Sequence, residues 1–202
     1  MILAINTCLR KVEVALIGEG KVLYERSEDS DRDHTEKIFE FLKEIVPEHT
    51  PDKIVVIAGP GAFTSIRIGV VVANTIAFAS QAEIYQIDLK TLFDQEGKPF
   101  PIFLSAGKSE IYELKSEKEF IKNDATAFLE GIEEEFYGDL SDTHLEALEG
   151  GGKKILVQKR GLTFGEAVIK LSKEGKLDNF KVDQAEAVYL KPPNISVSKK
   201  QI

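Results

Sequence analysis

Lys53-Ile54-Val55-Val56-Ile57-Ala58-Gly59-Pro60-Gly61-Ala62-Phe63-Thr64-Ser65-Ile66-Arg67-Ile68-Gly69 is the stretch that decides how this chain is read. Lys53–Ala58 is nearly all apolar, the pattern of a strand buried on both faces at the centre of a sheet. Gly59-Pro60-Gly61 ends it, since proline lacks a backbone donor and glycine reaches conformations closed to other residues. Thr64 then stands as an N-cap for a helix from about Ser65 to Ala79. Arg67 is that helix's only charge, so most of its faces are apolar and need cover. The folded chain is one source of cover and a partner protein is another. Strand, glycine loop and helix start is also an anion-binding arrangement, with free N–H groups and a helix dipole. Gly59, Pro60, Gly61, Phe63, Thr64 and Arg67 are therefore candidate phosphate or nucleotide ligands. The other reading is a tight turn that needs glycine. The segment is not a Walker A loop, for no Gly-Lys-Ser/Thr follows, nor a dinucleotide fingerprint, for Thr64 stands where the third glycine belongs.

Upstream, Ile2–Asn6 reads as an opening strand, Lys11–Ile17 alternates as a second, half-exposed one, and Lys21–Arg26 follows the Gly18-Glu19-Gly20 turn as a third, making an antiparallel meander. Ser27–Asp33 is polar and reads as a loop. Asp33 with Glu36 predicts a capping box for a helix that runs to about Val46 and stops before Pro47. Ile38, Phe41, Leu42 and Ile45 share one face; Phe39 and Val46 lie beside it and widen it. That width fits a broad core face or a second contact. Downstream, Glu83–Ile87 is a strand, and Asp88 reads as a cap for the next helix. Gly97–Pro101 punctuates the midpoint and divides the chain into lobes 1–97 and 98–202. The second half predicts a strand pair, Ile102–Ser105 and Glu110–Lys115, around Gly107. A helix over Ala125–Glu135, a break at Gly150–Gly152 and a strand at Lys154–Gln158 follow. A Thr163-capped helix then spans Gly165–Lys173, and a last strand Ala187–Leu190. The fold class is α/β.

Net charge is −8, spread over both halves, so the chain repels phosphate backbones and is a poor candidate for gripping nucleic acid alone. The Lys191, Lys199 and Lys200 tail reads as a solvated end. The single cysteine, Cys8, permits no disulfide within the chain and fits a reducing cytosol. The start has no signal-peptide pattern, and the uncharged run Ile68–Ala82 falls short of the ~20 apolar residues of a membrane span. The expectation is a cytoplasmic protein with no membrane contact. His34, His49 and His144 lie too far apart for the ligand spacing of a helix-borne metal site, and no metal is expected. His34, in the first helical turn, is an interface or capping candidate.

Gly59, Pro60, Gly61, Phe63, Thr64, Arg67, Ile68 and Gly69 resemble the signature of the TsaB family, Gly-Pro-Gly-Ser-Phe-Thr-Gly followed by an aliphatic residue and Arg-Ile-Gly. Ala62 replaces its serine and Ser65 its second glycine. Leu3–Thr7 is similar to the family's first strand, with Asn6 where aspartate is usual. His34-Thr35-Glu36, Ser109-Glu110-Ile111-Tyr112 and Tyr189-Leu190-Lys191 are similar to its His-Ser-Glu, Gly-Glu-Val-Tyr and Tyr-Leu/Val-Arg. The first 95 residues carry most of the likeness; the second half is short for the family.

The resemblance implies a two-lobed actin, Hsp70 and sugar-kinase-like (ribonuclease H-like) fold, with mixed sheets flanked by helices. It implies a non-catalytic scaffold for transfer of the threonylcarbamoyl group to N6 of the adenosine 3′ of the anticodon in tRNA. The partners would be a TsaD-type transferase and a TsaE-type ATPase, with a homodimer when alone and tRNA met only through the complex. The first helices would form the partner interface, through His34, Glu36, Ile38, Phe39, Leu42, Ile68, Val71, Val72 and Thr75. No catalytic residue or resident cofactor is expected; ATP or ADP at the partner interface is a candidate. Asn6 is neutral, unable to act as a base and a weaker magnesium ligand than carboxylate. The alternative is a small-molecule kinase or ATPase of the same superfold using the Gly59–Gly61 loop. A peptidase is disfavoured, because no Ser, Cys or His has a triad partner evident in sequence.

Overall fold

Ile2–Asn6 (β1) pairs antiparallel with Lys11–Gly18 (β2), which pairs antiparallel with Lys21–Asp29 (β3). The computed structural model describes residues 1–95, 102–105, 110–114, 120–124, 136–150, 157–158 and 161–189. β3 runs past Arg26 into the stretch predicted as a loop, because Ser27, Glu28 and Asp29 find ladder partners in Glu13, Val12 and Lys11. At an edge strand such polar side chains cost little. β1 also lies parallel to Lys53–Ile57 (β4), and β4 parallel to Glu83–Ile87 (β5). Ile54, Val55, Val56 and Ile57 are all wholly buried, as an apolar parallel strand covered on both faces should be.

Alternation along β2 and β3 assigns the two faces. Arg26 opposes Val14, and its guanidinium lies over Phe41 of the helix His34–Ile45 (α1), 4.2 Å from the ring centroid. One residue on, Glu25 opposes Ala15 and points to the other face. There it accepts Gly165 N–H at the start of Phe164–Lys173 (α5). A Cβ at Gly165 would lie 2.8 Å from Val22, so this glycine brings α5 close onto the sheet. Thr163 caps this helix as predicted, and Glu166 completes a capping box with it.

Two of the other three predicted caps fail. Asp33 has φ −107 and ψ 27, outside the extended region a capping residue uses, and makes no cap bond. Its carboxylate takes Lys37 and Ser30 instead. The helix expected to start at about Ser65 with Thr64 as its cap begins two residues earlier, as Phe63–Ser80 (α2), with Ala62 in the cap position. Asp88 caps Leu89–Asp94 (α3) through Thr91 N–H, 2.6 Å away.

Ile102–Ser105 (β6), Glu110–Leu114 (β7), Phe120–Asp124 (β8), Phe136–Asp139 (β9) and Val157–Gln158 (β10) form a second sheet, ordered β10-β9-β6-β7-β8. Asp142–Gly150 (α4) follows β9. The pairing repeats that of β1 to β5: two antiparallel neighbours on one side of the first strand and two parallel ones on the other. This is the expected ribonuclease H-like arrangement of mixed sheets flanked by helices. The predicted lobe boundary at 97 and 98, the turn around Gly107 and the helix over Ala125–Glu135 lie outside the described residues. So do Leu190 and the tail beyond it. α5, a 3₁₀ turn at Leu177–Phe180 and Lys181–Val182 (β11) return to the first sheet, where β11 pairs antiparallel with β5. No strand forms at Ala187–Tyr189; Val188 N–H instead donates to Ala58 O at 2.8 Å, where the segment crosses the end of β4.

Candidate partner face and glycine loop

The loop between β1 and β2 is bound from every side by its own chain. Asn6, wholly buried, donates from Nδ2 to Oε2 of buried Glu13 at 2.7 Å and accepts Cys8 N–H at 3.0 Å. Thr7 donates to Ser65 O at 2.6 Å, and His34 Nε2 lies 3.0 Å from Leu9 O. Arg10 N–H is taken by the Asp139 carboxylate, while its guanidinium grips both Asp142 oxygens at 2.9 and 3.1 Å and Leu140 O at 3.0 Å. Burial raises the Asp139 carboxyl above the usual carboxylate range, against the pull of Arg10. The amides of Cys8 and Arg10 thus already have acceptors, and two carboxyl groups stand nearby. Such surroundings repel a phosphate.

The glycine loop is spent on packing as well. Gly59 has φ 137, a conformation that side chains rarely adopt, and a Cβ there would overlap Val188 O. A Cβ on Gly61 would overlap Cys8 O, and one on Gly69 the Thr7 hydroxyl. Of the other residues predicted for phosphate, Pro60 is buried, Thr64 and Arg67 are exposed, and Phe63 stacks on Tyr189 with ring centroids 4.6 Å apart. Of these residues, Gly59 and Phe63 pack on the segment Ala185–Tyr189, and Gly61 packs on Cys8.

The predicted interface residues divide. Ile38, Leu42 and Val72 are buried at 0%, 6% and 8% exposure, so they belong to the core and not to an outer surface. Ile68 is half-buried against that core, and His34 is half-buried between Leu9 and Ser30. Glu36, Phe39, Val71 and Thr75 face outward. The outward stripe of α2 ends in Phe78, 90% exposed, with Val46 at the end of α1 also exposed. Sequence reasoning passed over Phe78. The only signal for it was its three-residue spacing from Thr75, on a helix with no polar side to mark the outward direction. By length and composition α2 is apolar enough to cross a membrane, with a mean hydropathy of 1.4; here it packs on β1, β4 and β5.

Among the described residues no group of three His, Cys, Asp or Glu side chains is placed to hold a metal. Burial pushes the Cys8 thiol far up, and its Sγ lies 3.1 Å from Ile57 O, which makes it a structural thiol. Two Ser–His contacts form in space. Ser105 Oγ lies 2.7 Å from Nδ1 of buried His144 while accepting Ser141 N–H. Ser30 lies 2.7 Å from both Asp33 and His34. The first ties β6 to the start of α4, and the second ties the start of α1 to the end of β3.

A family model for TsaD, tRNA N6-adenosine threonylcarbamoyltransferase, matches residues 25–185. The tRNA threonylcarbamoyladenosine biosynthesis protein TsaB of Buchnera aphidicola subsp. Schizaphis graminum (strain Sg) is 31% identical over 101 residues, 48% of this chain and 48% of that protein. The chain thus spans about half the length of this curated relative. Two solved structures share its fold. One is an uncharacterized protein with similarity to peptidase YEAZ from Pseudomonas aeruginosa, with TM-score 0.68 and 21% identity over 94% of this chain and 99% of that chain. The other is YeaZ from Pseudomonas aeruginosa, with TM-score 0.61 and 22% identity over the same shares, 94% and 99%. With TsaB and YeaZ among the proteins it is similar to, and a family match that spans most of its length, the chain belongs to the TsaD family.

Proposed function

We propose that this chain is a scaffold subunit in the formation of threonylcarbamoyladenosine on tRNA. It binds and activates a TsaD-type transferase through the outward face of α1 and α2, and takes no part in the chemistry at N6 of the adenosine 3′ of the anticodon. The observation that carries this reading is the exposed apolar stripe Val71 and Phe78 of α2, 60% and 90% exposed, together with Phe39 of α1 at 51%. Contiguous large apolar residues on an outer helix face mark an interaction site, and burying each returns roughly 1.5–3 kcal/mol. The TsaD family match and the TsaB relative supply the kind of partner. A TsaE-type ATPase joins the pair, tRNA is met only through the complex, and two copies associate through the same face when the transferase is absent.

The second reading is a kinase or ATPase of the same superfold with phosphate on the Gly59–Gly61 loop. The packing of Val188 against Gly59, the occupied amides of Cys8 and Arg10, and neutral Asn6 weigh against it. The test is calorimetric titration of the transferase subunit from the same host with wild type, Val71→Asp and Phe78→Asp. Both variants should bind about a hundredfold more weakly or not at all, and their monomers should melt as wild type does, since both side chains are exposed. Wild-type affinity in both would overturn the docking face. Steady hydrolysis of magnesium ATP by the chain alone would overturn the non-catalytic role.

A further inference from the structure

Arg67 is the one charge on α2, and it is exposed. Arg10 is held by Asp142, and Arg26 by Glu28, Glu40 and Glu44. Arg67 has no acidic partner among the described residues. Its guanidinium lies 5.3 Å from the centroid of the Phe63 ring, and Phe63 stacks on Tyr189 at an interplanar angle of 28°. Tyr189 is delivered from the far end of the chain by a segment with its own fastenings. Asn74 exchanges two hydrogen bonds of 2.9 Å with the Ala185 backbone, Glu186 N–H donates to Gln86 at 2.7 Å, and Val188 N–H to Ala58 O at 2.8 Å. A solvated surface arginine needs none of this support.

We propose that the Tyr189–Phe63–Arg67 stack presents a preset guanidinium on the docking face, and that it takes the carboxylate of an acidic side chain on the protein partner. The inference rests on the docking face argued above. A planar guanidinium offers two parallel donors that match a carboxylate, and stacking on an aromatic face orders it before binding, which lowers the entropy lost on association. Val71 lies one turn further along the same stripe, so the cation sits at the edge of an apolar patch, the setting in which arginine and aromatic residues are enriched at protein interfaces. A chain of net charge −8 is poorly suited to a polyphosphate in that place. α2 holds no acid of its own, so the carboxylate must come from a different surface.

The experiment measures the dissociation constant for the same transferase subunit against salt concentration, with wild type, Arg67→Gln, Tyr189→Ala, Tyr189→Phe and Val71→Asp. Arg67→Gln should weaken binding about tenfold to a hundredfold and flatten its salt dependence. Tyr189→Ala should weaken it less, and Tyr189→Phe should restore most of that loss, because the ring and not the hydroxyl supports Phe63. If Val71→Asp abolishes binding while Arg67→Gln keeps the wild-type constant and salt slope, the docking face stands and the carboxylate clamp is overturned. If Val71→Asp itself binds normally, the face fails and the clamp with it. Unchanged subunit affinity with loss of tRNA from the assembled complex would assign Arg67 to phosphate and overturn the carboxylate.

Discussion

Asn6→Asp should make this protein unstable at neutral pH and spare it in mild acid. Asn6 and Glu13 are directly opposed on β1 and β2, at 0% and 1% exposure, with the amide donating across 2.7 Å. An aspartate of the same shape still accepts Cys8 N–H but has nothing to donate when ionised. Two buried carboxylates then face each other at hydrogen-bond distance, an arrangement that holds one proton far more tightly than a free side chain does. With that proton bound, the pair remakes the contact the amide made. The pair's folded-state affinity for the proton is therefore raised, so the variant keeps its stability in acid and loses it as pH rises. A free aspartate titrates near 3.9, and each pH unit above that, while the folded pair keeps its proton, costs about 1.4 kcal/mol. The penalty is thus about 1.5 kcal/mol at pH 5 and about 4 kcal/mol at pH 7, a large share of a typical total of about 5–15 kcal/mol. Urea denaturation of variant and wild type at both pH values reads the difference directly. An equal penalty at the two pH values, or one under about 1 kcal/mol at pH 7, would refute the assigned contact.

Gly59→Ala should destabilise the fold by about 2–4 kcal/mol, through backbone strain and collision with Val188 O; thermal unfolding measures the loss, and an unchanged midpoint would contradict the packing. Cys8 should resist thiol reagents in the native protein and react only in denaturant, because its thiol is buried and raised; prompt native labelling would show the site open. Lys37 first, then Ser30, holds the Asp33 carboxyl down to about 2. Its lowered value supports the folded state above the ordinary carboxylate range, and that support fades as pH falls toward 2. Lys37→Met should return the Asp33 titration upward by NMR, and a titration that does not move would break the assigned pair.

Much of the first lobe was legible because its determinants are local. Ile2–Asn6 and Glu83–Ile87 emerge with the predicted bounds, and the spacing of Ile38, Phe41, Leu42 and Ile45 reports which face of α1 is buried. The alternation in β2 misled, because the strand is covered on both faces and Glu13, bonded to Asn6, is buried too. The caps divide by the same logic. Thr163 and Asp88 cap as predicted, whereas Asp33 is turned by Ser30 and Lys37, which compete for its carboxylate. α2 was harder to read. An all-round apolar helix states that it needs cover but not which side the fold covers, so Val72 and Val71 look alike in sequence and differ as core and surface in space.

The amino-acid sequence by itself determined the strand–loop–helix core from Lys53 to Ser80, the demand of α2 for cover, the neutral Asn6 at the end of β1, and the family likeness of the Gly59–Gly69 signature. Only the tertiary structure decided what these residues face. Val188 against Gly59, Tyr189 on Phe63, Asp139 on the Arg10 amide and the second sheet's repetition of the first all join residues far apart along the chain. Local periodicity records the energy of a segment in its own secondary structure. It carries no term for the contacts that long-range chain closure brings, and those contacts turn an apparent phosphate loop into a packed corner and leave one stripe of α2 bare.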